Sequence, residues 1–449
     1  MSGIVECINS GRLVKESFLF SFLSTQIKCL LTKNAKGFRY PDDVRHFATS
    51  VMYIGGRGLL QFIRGDGART VSENGDFDPK RFGLFLPSPR ILRKYKPLVK
   101  IYGTLSQANI NRVAIGLPPS CTSGGLVFDE MEIRHGLVYQ PHLAQLVGLV
   151  SGEVPEKDVN SRAWKDANVN KELATKVLQV FFVSTDGKTS VPLGFHPTTG
   201  ISGKEMADLM IPIIKTVAEF NVTIEWGSSD GFSSNMEFIS QLKKMGLEFY
   251  HVFDVTHIEK NLRNTLENKE VLTRQFPKGF SLRTLDNLRD GQNGPAYRKL
   301  FPHTVFPKDK MDVQHFKRLI DSKLLELLKD EVEDSARGLF EYLGKMKDLY
   351  DGFMDNSMDH SLRFEKLSGV TAYFTDMDAF NGGLGSIGSN LKFQIVESIA
   401  NLAALHKSHG DLLKPSTYGT LIVENFFSQV RAKVRYPNLL EYATHNYDA

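Results

Sequence analysis

Three acidic residues lie on segments that the sequence predicts to be two strands and a helix. Asp129 stands in the mostly apolar run 125–133, Asp230 follows a predicted strand, and Glu424 lies within the helical pattern 418–434. A carboxylate on an apolar strand is costly to bury without a partner, and a divalent cation is one such partner. Three carboxylates suit a pair of Mg²⁺ ions that promote phosphoryl transfer. Taken singly, each acid has the simpler alternative of an ion pair with a surface lysine.

The order of predicted elements indicates how two of these acids meet. Residues 111–266 begin with antiparallel strands and continue with strand–helix–strand units, at 125–133, 136–140, 177–184 and 190–195, helix 204–220, strand 222–226, helix 234–245 and strand 249–253. This order is typical of an RNase H-like fold. Its first strand is central and the later parallel strand lies beside it, so we expect Asp230 to face Asp129.

The remaining segments are predicted to be mainly helical. The predicted fold is therefore α/β: an RNase H-like mixed sheet flanked by helices, interrupted by a large helical insertion and preceded by a small helix-turn-helix region. The predicted boundaries are an N-terminal helix at 1–35, a helix-turn-helix-like region at 36–110, the first part of the core at 111–266, the insertion at 267–415 and the closing helix of the core at 416–449.

The region 36–110 has the pattern of three short helices. Gly55-Gly56 predicts a break between the first two, and Ser88-Pro89 predicts the start of the third. The third helix carries Arg90, Arg93 and Lys94, which are candidate DNA contacts if this is a helix-turn-helix. The alternative is an ordinary basic face exposed to solvent.

Composition sets limits on the class of protein. The 449 residues are 41% hydrophobic and 24% charged, with a net charge of +4, so a nucleic-acid partner is permitted but must be argued from local clusters. Cys7, Cys29 and Cys121 are too far apart for paired zinc-finger spacing or a disulfide framework, which favours a reducing compartment. The apolar run 18–31 is interrupted by polar residues, so we expect a soluble intracellular protein without a membrane span.

Four sequence segments together resemble the transposases of the P element type. They are Phe128-Asp129-Glu130-Met131, Ser229-Asp230 with Asn235 following, the segment from Phe253 through Asp254-Val255-Thr256-His257 to Asn264, and Glu424-Asn425-Phe426-Phe427 through Arg431. The segment 254–264 is the most specific of them. The likeness covers most of residues 40–435.

The resemblance implies a DDE-type catalytic core with Asp129, Asp230 and Glu424 as Mg²⁺ ligands. It also implies a GTP-binding insertion at 267–415, transposon-end and target DNA as partners, a homo-oligomer and a nuclear location. Further residues are placed near the active site by the same resemblance: Asp254, His257, Lys260 and Asn261. Asp254 and His257 have a structural alternative, which is to cap the helix that follows them.

This chain departs from the family pattern in three ways. The N-terminal zinc finger of the family is not present in the sequence, and residues 425–449 are all that follow Glu424. Thr420-Leu421 stands where the family often has Gln-Asp. We therefore keep two hypotheses: a transposase catalytic core, and a domesticated or degenerate DNA-binding or assembly protein that retains the fold without catalysis. A host nuclease acting on RNA–DNA hybrids is a weaker hypothesis, because such nucleases lack a helical insertion like that predicted at 267–415.

Overall fold

The structure is a computed structural model of the chain. It describes residues 6, 10, 14, 17–32, 38–65, 83–94, 104–140, 145–150, 154–155, 173–291, 294–307, 312–381 and 387–446. The chain forms two compact units. One comprises residues 1–100, 140–145 and 440–449, and the other comprises residues 101–139 and 146–439.

The larger unit is organised around a five-stranded mixed sheet. Its strands are β1 (Ser123–Glu132), β5 (Lys176–Ser184), β6 (Ser190–Thr198), β7 (Thr223–Ser229) and β8 (Tyr250–Phe253), in the order β6-β5-β1-β7-β8. Three short strands form a second sheet: β2 (Val138–Gln140), β3 (Gln145–Val147) and β4 (Val154–Pro155). Strand β1 pairs antiparallel with β5 and parallel with β7, so the predicted RNase H-like arrangement is confirmed.

The position of β1 at the centre of the sheet follows from its composition. Residues 124–128 are buried, as expected for a strand covered on both faces. Gly125 allows close packing, because a Cβ at this position would lie 2.1 Å from the indole ring of Trp226. The apolar and glycine-containing run therefore places β1 between two other strands, and its polar end begins at Asp129.

The register of β1 and β7 brings the two predicted aspartates to the same end of the sheet. The last paired residues are Val127 and Ser228. Asp129 lies two residues after Val127, and Asp230 lies two residues after Ser228. Because β1 and β7 run in the same direction, both aspartates are at the same end of the sheet. Strand β8 extends this edge, because it pairs parallel with β7 and is followed directly by Asp254, whose N–H donates to the carbonyl of Ser229 at 3.0 Å.

Helices cover the sheet and fill the segment between β8 and the closing helix. The larger unit contains α4 (Gln107–Ile115), α5 (Gly203–Ala218), α6 (Ser233–Lys244), α7 (Val255–Asn268), α8 (Leu282–Asp290), α9 (Gly294–Leu300), α10 (Val313–Leu319), α11 (Ser322–Lys329), α12 (Asp334–Met354), α13 (His360–Asn381), α14 (Ser389–His409) and α15 (Leu421–Lys433). Helix α14 lies on β8, where Asn401 donates to the carbonyl of His251 at 2.8 Å and Ser398 accepts from the N–H of Phe253 at 2.9 Å. Helix α15 packs on β1 and β5, with the ring of Phe426 against that of Phe181.

In the smaller unit the described residues before 100 include α1 (Phe18–Leu31), α2 (Asp42–Ile63) and α3 (Pro89–Lys94). A further helix, α16 (Leu439–Asn446), begins at the boundary and contributes its remaining residues to this unit. Gln26 joins α1 to the segment before α3, since its amide exchanges two hydrogen bonds with the backbone of Phe85.

The predicted break at Gly55-Gly56 is wrong, because α2 runs without interruption through both glycines. Each glycine costs a helix only about 1 kcal/mol relative to alanine. Val44, Ala48 and Leu60 lie on both sides of the pair and share one buried core, and this packing outweighs the local preference. Among the described residues, no helix has both the length and the apolar character needed to cross a membrane.

The packing of Gly125 yields a prediction of stability. We expect Gly125→Ala to lower the free energy of unfolding by about 2 kcal/mol, because the added methyl group overlaps the buried Trp226 ring. The matched control is Gly344→Ala in α12, where a Cβ meets no atom within 4 Å and which we expect to stabilise the chain by up to about 1 kcal/mol. Urea denaturation measures both, and equal midpoints for the two variants would contradict the packing argument.

Candidate active site

Asp129 is a partly buried acid on the central strand. Its Oδ1 accepts a hydrogen bond from the N–H of Glu130 at 2.7 Å, and no lysine or arginine in the described part of the chain forms an ion pair with it. Burial and the negative charge of Asp230 raise the pKa of Asp129 to about 7, and the charge of Glu424 adds to this effect. At this pKa the carboxyl is partly protonated at neutral pH, and a bound cation would favour the deprotonated form.

Asp230 follows β7 and is 5% exposed. Its Oδ1 accepts from the side-chain amide of Asn235 at 2.6 Å and from the N–H of Phe232 at 3.2 Å. Burial raises the pKa of Asp230 although these hydrogen bonds oppose the shift. Asn235 is itself buried in the first turn of α6, and it therefore fixes the orientation of the carboxylate.

Asp254 and His257 form a hydrogen-bonded pair at the start of α7. The Nδ1 of His257 lies 3.0 Å from Oδ2 of Asp254. Burial raises the pKa of Asp254, but the hydrogen bonds from His257 and Thr420 outweigh it and hold the pKa at about 2. Burial also lowers the pKa of His257, but the hydrogen bond and charge of Asp254 outweigh this effect and raise it above the ordinary value. The pair therefore favours a charged carboxylate beside a protonated imidazole.

The capping role that we weighed for this pair is present in the structure. Asp254 is the N-cap residue of α7, and its Oδ1 accepts from the N–H of Thr256 at 2.8 Å. The cap does not account for all of the contacts, because the other oxygen of Asp254 bonds His257 and Thr420. Asp254 thus caps a helix and also orients an imidazole.

Glu424 reaches this site from α15, in the first turn of that helix. Its Oε1 lies 3.9 Å from Nε2 of His257. Asp254, His257 and Glu424 each present a ligand atom within 4.8 Å of the others. The side chain of Glu424 is 36% exposed, so this side of the site is open to solvent.

His257 is near all four acids of the site: Asp129, Asp230, Asp254 and Glu424. Its charge lowers the pKa of both Asp129 and Asp230, while its ring contacts Asp254 and faces Glu424. Asp129 and Asp230 also line one cavity of about 160 Å³. The structure therefore places the three predicted acids around one histidine, with the tightest grouping at Asp254, His257 and Glu424.

The other candidate residues have different surroundings. Lys260 is buried, and its charge lowers the pKa of His257. Asn261 is exposed and lines a separate cavity further along α7. In the smaller unit Arg90 is exposed on α3, while for Arg93 and Lys94 the structure describes the helical backbone but not the side chains. Arg90, Arg93 and Lys94 remain predicted DNA contacts.

Two contributors to the site carried no chemical signal that we recognised in the sequence. Asn235 belongs to a sequence motif, but its bond to Asp230 depends on the turn between β7 and α6. Thr420 lies 166 positions from Asp254, whose carboxylate accepts its hydrogen bond, so no local pattern indicates the contact. A polar residue five positions after a strand-end aspartate could have suggested the first contact.

The residues present fit Mg²⁺. The ion prefers carboxylate oxygens and usually keeps several waters, so a few acids suffice to bind it. Asp129 and Asp230 are close enough to raise the pKa of Asp129 by mutual repulsion, and no basic side chain in the described ranges neutralises either by an ion pair. Asp129 and Asp230 are therefore carboxylates that would hold the metal, whereas the ligand atoms within 4.8 Å of one another in the described residues are those of Asp254, His257 and Glu424.

One cavity in the region predicted to bind GTP is lined by more acidic than basic side chains. A cavity of about 480 Å³ near the starts of α8 and α12 is lined by Lys278 and Arg283, but also by Glu270, Glu333 and Asp334. Three acids against two bases do not suit a triphosphate. This cavity therefore lacks the net positive charge that favours a triphosphate, and GTP binding by residues 267–415 stays a prediction.

Comparisons with known proteins agree with this architecture. Residues 115–243 match the family described as TNP-like, RNase H N-terminal domain. The solved structure described as "Drosophila P element transposase strand transfer complex" is similar, with a TM-score of 0.67 and 15% identity over 98% of this chain and 97% of that chain. No curated protein sequence matches the chain.

The fold and the acidic site define a protein with an RNase H-like core. Residues 115–243 carry the TNP-like form of that domain, and the chain as a whole has the fold of the P element transposase. The predicted resemblance to P element-like transposases is confirmed for the family domain and for the fold.

The raised pKa of Asp129 predicts a pH dependence of stability without divalent cations. The pKa in the folded chain lies above the ordinary 3.8, so deprotonation favours the unfolded chain and stability falls as pH rises from about 4 to about 7. Asp129→Asn removes this penalty, and we expect it to raise the free energy of unfolding at pH 8 by about 2 kcal/mol relative to its effect at pH 4.

The control for this measurement is Glu132→Gln, which neutralises an exposed acid on the same strand. Chemical denaturation at several pH values in a chelating buffer measures the difference. If Asp129→Asn and Glu132→Gln show the same pH dependence as the unsubstituted chain, the electrostatic account of Asp129 is wrong.

Proposed function

We propose that this chain is a DDE-type transposase core that cleaves DNA strands and transfers them in a Mg²⁺-dependent reaction. The observation that carries the proposal is the placement of Asp129 and Asp230 at one edge of the parallel pair β1–β7, with Glu424 brought beside His257 by α15. Neighbouring carboxylates whose pKa values are raised by burial are a pattern that bound cations stabilise. Polynucleotidyl transfer is the chemistry that such a pattern serves best in an RNase H-like core.

The acids have distinct tasks in this proposal. Asp129, Asp230 and Glu424 hold the metal, which when bound lowers the pKa of a water or 3′-hydroxyl and stabilises charge on the leaving oxygen. Asn235 orients the carboxylate of Asp230 through its hydrogen bond. The partly exposed Glu424 lies on the side from which a DNA strand has access.

His257 has the geometry to assist the same reaction. Asp254 binds Nδ1 and so orients the ring with Nε2 directed toward Glu424. Because the pKa of His257 is raised, the imidazole tends to be protonated and can donate a hydrogen bond to a phosphate oxygen or to a departing 3′-oxygen. Asp254 orients the histidine and takes no part in metal binding in this scheme.

A DNA strand has a suitable route along α7. Asn261, Asn264, Thr265 and Asn268 recur at helical spacing on the face that begins at His257, and they extend for about 16 Å. They line a cavity of about 500 Å³ whose other wall is the start of α14, and no acidic residue lines it. Amides and hydroxyls without acids suit a sugar–phosphate backbone. This cavity is called the α7 groove below.

The wider assignments follow from the same proposal. The similar solved structure is described as a strand transfer complex, which supports DNA as a partner here. We propose transposon ends and target DNA as the partners, with Arg90, Arg93 and Lys94 as further contacts, a homo-oligomeric assembly and a nuclear location. GTP binding by residues 267–415 stays a prediction from the resemblance.

A second candidate function is a non-catalytic DNA-binding or assembly protein. The observation that favours it is that the tightest grouping of ligand atoms is Asp254, His257 and Glu424 and does not include the two other acids. The catalytic measurement below separates the two candidates.

The first prediction of the proposal concerns strand cleavage. With Mg²⁺ and a duplex carrying the element's own terminal repeats, we expect cleavage that falls at least about 10³-fold in Asp129→Ala, Asp230→Ala and Glu424→Ala, since each loses a metal ligand. Gel electrophoresis of end-labelled DNA gives the rates. Glu132→Gln is the control and should retain activity; equal activity in the chain and in Asp129→Ala would exclude the DDE mechanism.

A second prediction separates the two sets of DNA contacts. Replacing Arg90, Arg93 and Lys94 together by alanine should reduce the slope of log binding constant against log salt concentration by up to about 3, because each lost phosphate contact accounts for about 0.9. Replacing Asn264 and Asn268 by alanine should leave this slope unchanged and slow cleavage, because these neutral side chains release no counterions.

Fluorescence anisotropy at several salt concentrations measures the slopes. An unchanged slope in the triple variant would show that α3 does not contact phosphate, and full cleavage activity in the double variant would show that the strand does not follow the α7 groove.

A further inference from the structure

The carboxylate of Asp254 accepts four hydrogen bonds. Oδ1 accepts from the N–H and the hydroxyl of Thr256, each at 2.8 Å. Oδ2 accepts from Nδ1 of His257 at 3.0 Å and from the hydroxyl of Thr420. Three of these bonds come from within the first turn of α7. The fourth bond comes from Thr420 at the start of another helix, and the capping of α7 does not explain it.

Thr420 occupies the position that starts α15. It is fully buried, it is the N-cap residue, and its carbonyl accepts from the N–H of Glu424 at 2.9 Å. The neighbouring Tyr418 is also buried, with its ring 4.4 Å from that of Trp226 on β7. The segment before α15 is therefore held against the end of the sheet, and Thr420 sets the first turn that carries Glu424.

The hydroxyl of Thr420 is not used as an N-cap hydroxyl usually is. A threonine at this position commonly accepts a hydrogen bond from an N–H in the first turn of its own helix. Thr420 makes no such side-chain capping bond. Its hydroxyl instead donates to Asp254, so α15 gives up a local stabilising bond in favour of a contact with the start of α7.

We propose that Thr420 is a positioning residue whose hydroxyl fixes the start of α15 against Asp254 and thereby holds Glu424 at its distance from His257. The inference rests on the proposed function, because its consequence is the arrangement of a metal ligand. It also gives a role to Thr420 in the segment Thr420-Leu421, where the sequence departs from the family pattern.

Removing the hydroxyl releases the start of α15 from its bond to Asp254. Glu424 then loses its fixed position, so the cation binds more weakly and the reaction slows. A residue that merely filled space would not weaken the cation response when another residue of the same shape replaces it.

The test compares Thr420→Val, which keeps the shape and removes the hydroxyl, with Thr420→Ser, which keeps the hydroxyl. In Thr420→Val we expect kcat for strand cleavage to fall about 10-fold or more and the Mg²⁺ concentration for half-maximal activity to rise several-fold, with KM for DNA within about 2-fold. Thr420→Ser should restore all of these values.

A binding measurement makes the test independent of turnover. Calorimetric titration of the full chain with Mn²⁺ should show several-fold weaker binding in Thr420→Val and wild-type binding in Thr420→Ser. If Thr420→Val does not fold by circular dichroism, Thr420→Cys replaces it, because its thiol is a weak donor of similar size.

The outcomes separate this inference from the proposed function. If the unsubstituted chain neither cleaves DNA nor binds Mn²⁺, the proposed function is wrong. If the unsubstituted chain does both and Thr420→Val matches it in kcat and in cation response, the positioning role of Thr420 is wrong. Loss in both Thr420→Val and Thr420→Ser would also overturn it, since the hydroxyl would not then be the determining group.

Discussion

The parallel pairing of β1 with β7 is the constraint on which the site depends. Because the two strands run in the same direction, their polar ends lie at one edge of the sheet, and Asp129 and Asp230 meet there. Two acids in this position repel each other, and burial deprives them of water, which is why the pKa of Asp129 is raised to about 7. The fold therefore creates an electrostatic cost that a bound cation relieves.

The second half of the site is assembled from distant segments. Strand β8 delivers Asp254 to the same edge, and Asp254 then joins His257 of its own helix to Thr420 at the start of α15. The helices between them make this possible without distorting the sheet, because α14 bonds the backbone of β8 through Asn401 and Ser398. A long helical segment can thus separate Asp254 from Glu424 in sequence while both remain at one edge.

The sequence was sufficient for the part of the fold that strand order determines. Alternating and apolar patterns predicted the strands, and the RNase H-like order predicted that Asp129 and Asp230 meet, which their register supports. The sequence was insufficient where packing between distant segments determines the structure. Gly55-Gly56 lies inside a continuous helix because a shared core holds both halves, and the bond from Thr420 to Asp254 joins residues 166 positions apart, which no local pattern indicates.

Two neighbouring acids on β1 differ in how their negative charges are balanced. Glu130 is paired with Lys176 from the adjacent strand at 3.1 Å, so its charge is balanced within the protein. Asp129, one residue earlier and therefore on the opposite face of the strand, accepts a backbone N–H. It lies near the negative charges of Asp230 and Glu424, which raise its pKa, and near His257, which lowers it. Burial and the neighbouring acids still leave the pKa of Asp129 at about 7, so the charge of His257 offsets them only in part. A cation bound at this edge of the sheet, as the proposed function requires, would supply the remaining compensation.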